Sequence, residues 1–125
     1  MVKLSSLRCD PELSERGRWV DYEGGKLLVA KTNNTQYQKE LLVLLQENPD
    51  ANDSEEGFAL LVKTAMSRAI LLGWEGFEDD NGEAIEYTPE AGLDVLTDAG
   101  HQDFYQAVIS ESQATDRYRV SAEGN

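Results

Sequence analysis

The chain has 125 residues, with 24 Asp and Glu against 11 Lys and Arg and a formal net charge of −13. One domain of this length buries a real core without staples, and the single Cys9 excludes an internal disulfide and a zinc–cysteine cluster. The acidic balance argues against nucleic acid or an anionic membrane as partner, because both are bound through basic patches.

Residues Arg18–Lys31 read as a β-hairpin. Trp19, Val20 and Tyr22 precede Glu23-Gly24-Gly25, and Leu27, Leu28 and Val29 follow. Aromatic and branched residues favour strands, and paired glycines supply a tight turn. Thr32–Thr35 offers helix N-caps. Gln36–Asn48 is predicted as a helix because Tyr37, Leu41, Leu44 and Leu45 share one face, and Pro49 ends it. Ser54–Leu72 carries the strongest helical pattern, with Phe58, Leu61, Val62, Ala65, Met66, Ala69 and Ile70 in one stripe. Asp53 and Glu56 have capping-box spacing with Asp53 as N-cap, and Gly73 is placed to stop the helix.

Trp74–Thr88 reads as a second hairpin. Trp74 and Phe77 precede the turn Asp79-Asp80-Asn81-Gly82, and Ile85 and Tyr87 follow it. Thr88-Pro89-Glu90 opens a short helix with Leu93 and Leu96 on its apolar edge. Thr97-Asp98 caps a last helix, with Phe104, Ala107 and Val108 on one face and Tyr105 and Ile109 widening it. That helix is expected to run to Val120, with a frayed tail at Ser121–Asn125. The expected fold is α+β, mostly α, with about four helices and two short β-hairpins in one small domain. The domain spans residues 1–125, and its ordered core covers residues 17–119.

Charge is unevenly placed. Met1–Arg68 has 11 acidic and 9 basic residues, whereas Ala69–Asp116 has 12 acidic residues and no Lys or Arg. No apolar N-terminal segment of the secretory type and no membrane-length apolar run is present, and the single Cys9 fits a reducing compartment.

The chemical motifs fail one by one. Anchoring Gly82 at position 6 of a calcium loop puts Phe77 at position 1 and Thr88 at position 12, so both key ligands are missing. A solvated acidic turn explains Asp79–Glu83 better. His101 is the single histidine, with no positioned nucleophile, and reads as a surface helix residue. Gly24-Gly25-Lys26 is too short for a phosphate loop. Glu75, Glu78, Asp79, Asp80, Glu83 and Glu86 lie on or beside a turn, where solvation is their default. No catalytic residue, cofactor or metal ligand is expected, and a binding protein is favoured over an enzyme. Trp74, Phe77 and Tyr87, with Phe104 and Tyr105, are the candidate partner-binding residues, since aromatics concentrate at interface hot spots. The plainer reading is that they cover one end of the Phe58–Ile70 helix as core.

The run Leu71-Leu72-Gly73-Trp74-Glu75-Gly76-Phe77, the acidic turn to Gly82, and Ile85-Glu86-Tyr87-Thr88-Pro89-Glu90 resemble the central motif of tail assembly chaperones of long-tailed bacteriophages. Leu93–Asp98, Asp103-Phe104-Tyr105, Gly17–Tyr22 and Asn34–Tyr37 are also similar to that family, so the resemblance spans residues 17–119. It implies a non-enzymatic protein of the bacterial host cytoplasm, absent from the mature virion. Such a protein binds the tape measure protein and recruits tail tube subunits. Unpaired strand edges and the wide stripe of the last helix would also support a homo-oligomer. The alternative is an acidic interaction module or inhibitor that occupies a basic site on a host protein. A metal-dependent hydrolase has only the Asp79–Glu83 turn behind it.

Overall fold

In the computed structural model, which describes residues 1–120, the chain opens with a 3-10 turn at Leu4–Leu7 and a short helix α1 at Pro11–Arg16. No element was expected here. The signal is nevertheless local: Asp10 Oδ1 accepts from the Glu12 and Leu13 N–H groups, and Pro11 takes the first helical position. β1 (Arg18–Tyr22) and β2 (Gly25–Val29) then form the expected hairpin, with Trp19 opposite Leu28 and Val20 opposite Leu27. Glu23 and Gly24 hold φ of 51° and 88°, the left-handed pair that matches the twist of the flanking strands.

Asn34 caps α2 (Thr35–Glu47), its Oδ1 accepting from the Tyr37 N–H at 2.9 Å. A 3-10 turn at Pro49–Asp53 leads into α3 (Glu55–Ala69). That turn occupies Asp53, so the cap passes to Ser54, whose Oγ accepts from the Gly57 N–H at 2.9 Å. The buried stripe of α3 is Leu61, Ala65, Met66 and Ala69, and Phe58 at its start is exposed.

α3 ends three residues before the expected Leu72. The chain passes directly into β3 (Leu71–Glu75), which pairs antiparallel with β2 and places Trp74 opposite Leu27. The helix needs no terminal glycine because distant groups satisfy its last carbonyls. Asn34 Nδ2 donates to Ala69 O at 3.0 Å, the Ala30 N–H donates to Ile70 O at 2.7 Å, and the Tyr87 hydroxyl donates to Ser67 O. Gly73 is therefore a strand residue; the Leu28 Cβ lies 3.8 Å and the Trp19 ring 3.9 Å from where its own Cβ would stand.

The sheet has the order β1-β2-β3. The expected second hairpin is thus divided. Trp74 belongs to the sheet, and only residues 77–85 fold back on themselves, with Glu78 bridged to Ala84 and the Ile85 N–H donating to Phe77 O at 2.9 Å. α4 (Pro89–Thr97) follows under the expected Thr88 cap, then α5 (Gln102–Ser112). α5 stops well before Val120. A 3-10 turn at Thr115–Tyr118 follows, and the fully buried Tyr118 donates its hydroxyl to Val29 O at 2.8 Å. Burial pushes the Tyr118 phenol up to about 12, against the opposing pull of Arg18. The expectation for Ser121–Asn125 lies outside the described residues.

Strand alternation sorts the side chains. Val20, Leu27, Val29 and Trp74 face the helices, Leu71 joins them because the β2–β3 register shifts between Leu28 and Val29, and all five pack in one core with Leu61, Ala65, Leu96, Phe104 and Val108. Trp19, Asp21, Lys26, Gly73 and Glu75 lie on the outer face of the sheet. The architecture is α+β and mostly helical, a single small domain, with one three-stranded sheet in place of two separate hairpins. Among the described residues no helix is long and apolar enough to cross a membrane.

Candidate functional site

Trp74 is the hub of an aromatic cluster. Its ring meets Tyr87 at 4.9 Å, Phe77 at 5.9 Å and Phe104 at 6.3 Å between centroids, each edge-on, and Phe104 in turn meets Tyr22 at 5.7 Å. Edge-to-face contacts set the positive rim of one ring against the negative face of another. The Trp74 indole N–H donates to Ile85 O at 2.8 Å, which pins the returning arm of the acidic turn to β3. Tyr87 donates to the Ser67 carbonyl and, at 2.7 Å, to the Leu71 carbonyl. Burial, reinforced by the Glu90 carboxylate, raises its phenol well above the ordinary tyrosine range, so Tyr87 acts as a neutral donor and not as an acid. Its ring covers Gly92 of α4, where a Cβ would stand 2.5 Å from the hydroxyl oxygen.

Four of the five candidate aromatics, Trp74, Phe77, Tyr87 and Phe104, are thus brought together. Tyr105 is not among them: it carries Lys63 Nζ at 4.8 Å from its ring centroid, away from Trp74. Tyr22 joins the group from β1. Its inward position follows from the alternation of that strand, a signal present in the sequence.

A cleft of about 500 Å³ opens beside this cluster. Tyr22, Trp74, Phe77, Ile85, Val95 and Phe104 supply its apolar lining, and Glu78, Asp79, Asp80 and His101 its polar edge. The three carboxylates differ in role. Asp79 Oδ1 accepts from the Asn81 and Glu83 N–H groups at 2.8 and 3.0 Å and so holds the turn. Glu78 and Asp80 are exposed, and no ion pair among the described residues reaches them. His101 Nε2 lies 3.7 Å from Asp98 Oδ2. Among the described residues no group of three His, Cys, Asp or Glu side chains is placed to hold a metal ion. A second cleft, of about 460 Å³, lies where the end of α2 meets the start of α3 and includes Leu44, Leu60 and Leu61 but none of the candidate aromatics.

A family model described as the YdaY prophage protein matches residues 28–124, more than half of the chain. The match takes in every residue of the aromatic cleft except Tyr22. No curated protein and no solved structure is matched.

Proposed function

The chain belongs to the YdaY prophage protein family and is of phage origin, and from that premise we propose that it is a tail assembly chaperone. In this reading it is a non-enzymatic protein of the host cytoplasm that binds the tape measure protein and recruits tail tube subunits around it. One observation carries the reading. Six of the ten residues that line the aromatic cleft, Trp74, Phe77, Glu78, Asp79, Asp80 and Ile85, belong to the run that resembles the tail-chaperone motif. As the resemblance implies, the client is a long, largely helical chain that exposes apolar surface before assembly. An acidic domain with an aromatic cleft would cover part of that surface and keep the complex soluble.

Co-expression with the tape measure protein of the same prophage tests this. The soluble yield of the tape measure protein is expected to rise severalfold, and the two chains are expected to elute together. An unchanged yield with separate elution would sink the proposal. The base-free stretch Ala69–Asp116 favours a second reading, an acidic module seated on a basic host protein. Its signature would be one basic host protein bound in place of the tape measure protein.

A further inference from the structure

We propose that the cleft takes an arginine or lysine side chain, presented next to an apolar residue on a partner protein. This rests on reading the cleft as a partner surface, and it is independent of which protein supplies the segment. The cleft has two kinds of lining. Trp74, Phe77 and Phe104 form an apolar floor, while Glu78 and Asp80 stand at the edge without a cation. A purely apolar occupant would meet the floor but leave both carboxylates partly desolvated and unpaired. A metal ion would meet the carboxylates alone, and the described residues form no ligand set for one. Nucleic acid would bring phosphates against the acidic edge. Arginine and lysine satisfy both halves: an aliphatic stem lies along apolar surface while the charged head stays at the polar edge.

The one basic side chain in the lining, His101, lies beside Asp98 at 3.7 Å, so a cation for Glu78 and Asp80 comes from outside the cleft. From Ala69 to Asp116 there is no Lys or Arg. The basic residues that pair elsewhere are already engaged, Arg18 with Glu111 at 2.9 Å and Arg68 with Glu40 at 3.3 Å. At about 500 Å³ the cleft has room for one long side chain and an apolar neighbour.

The two tryptophans provide the test, because they lie on opposite faces of the sheet. The full-length ¹⁵N-labelled chain is titrated with the capped peptide Ala-Leu-Arg-Leu-Ala and with its counterpart carrying citrulline, a neutral isostere, in place of arginine. The arginine peptide is expected to shift the Trp74 indole resonance and leave that of Trp19 in place. Its affinity is expected to exceed that of the citrulline peptide about three- to tenfold, as two exposed charge contacts allow. The variant Glu78→Gln/Asp80→Asn should abolish that ratio while binding the citrulline peptide as before. Asp79 is left intact because it holds the turn, and unmoved Trp19 and Trp74 resonances in the free variant show that its fold is kept. Equal affinity of the two peptides would overturn the cationic preference, and so would an arginine effect that survives in the variant. A silent Trp74 would overturn the cleft as the binding place. An equal response to spermidine at the same concentration would overturn a protein partner. The chaperone reading is judged separately: the variant and the parent are each co-expressed with the tape measure protein, so capture without peptide selectivity removes only the present inference.

Discussion

Among the described glycines, Gly92 is the one where an added methyl group would make the shortest contact. In an exposed helix, glycine to alanine gains about 0.5–1 kcal/mol from backbone entropy. In α4 the added Cβ would stand 2.5 Å from the Tyr87 hydroxyl oxygen and 2.6 Å from its Cε2. The ring has little room to retreat. Its hydroxyl is held by the Ser67 and Leu71 carbonyls, and Trp74 lies against it at 4.9 Å. Overpacking of this kind costs about 1–3 kcal/mol and outweighs the propensity gain. Gly92→Ala is therefore expected to lower stability by about 1–2 kcal/mol in urea unfolding. A neutral or stabilised variant would show that Tyr87 moves freely and does not fix the floor of the cleft. The same residue explains why a phenol serves here: phenylalanine would fill the space but leave an end-of-helix carbonyl without its donor.

At the level of elements, Asn34 joins three segments. Its Oδ1 caps α2, and its Nδ2 donates to Lys31 O at 2.8 Å and to Ala69 O at 3.0 Å, closing the end of α3. Considered as an N-cap alone, aspartate should serve as well as asparagine. The fold predicts otherwise, because a carboxylate oxygen would replace the amide and face two carbonyls in a buried position. Asn34→Asp is expected to lose about 2–4 kcal/mol at neutral pH. The sign with pH follows. The penalty falls on the ionised form, so the folded state would hold the new carboxyl above its unfolded value of about 4. The penalty would then be fully present above the folded value and would shrink as pH falls toward the unfolded one. Urea unfolding of variant and parent at both ends of that window checks this, and a pH-independent difference would show that the amide donors do not matter. Asn34 also marks where the sequence is legible. The first hairpin, the α3 stripe from Leu61 onward and the Thr88-Pro89 start of α4 are written in adjacent residues and form as expected, although the left-handed turn positions are Glu23 and Gly24 in place of the paired glycines and Phe58 is exposed. The end of α3 is not. It depends on Asn34, Ala30 and Tyr87, which lie far away in sequence, and on β2 offering an edge for Leu71–Glu75 to pair with. The cleft shares this mixture: Trp74, Phe77 and the acidic turn stand out locally, whereas Tyr22 and Val95 join only when β1 and α4 are brought over them.

Across the whole molecule the net charge of −13 is a cost to the fold and an asset to the surface. Two ion pairs with arginine are formed among the described residues, Arg18–Glu111 and Arg68–Glu40, and neither is at the acidic turn. Like charges therefore repel along the base-free segment, and self-repulsion of this kind opposes a compact state. Salt screens it, because the Debye length falls from about 30 Å at 0.01 M to about 8 Å at 0.15 M. Raising sodium chloride over that range is expected to raise Tm by roughly 3–6 °C, as about 1 kcal/mol does in a domain of this size. Binding at the cleft should respond in the opposite sense, since the attraction between Glu78, Asp80 and an incoming cation is screened by the same ions. The Glu78→Gln/Asp80→Asn variant separates the two effects. Relieved of two repelling charges, it should melt higher than the parent at 0.01 M salt and converge on it at 0.15 M, while losing its preference for the arginine peptide at both. Thermal melts and peptide titrations on the same two proteins measure this. A variant that melts lower than the parent at low salt would show that these carboxylates support the fold, and the functional reason for keeping them at the mouth of the cleft would lapse.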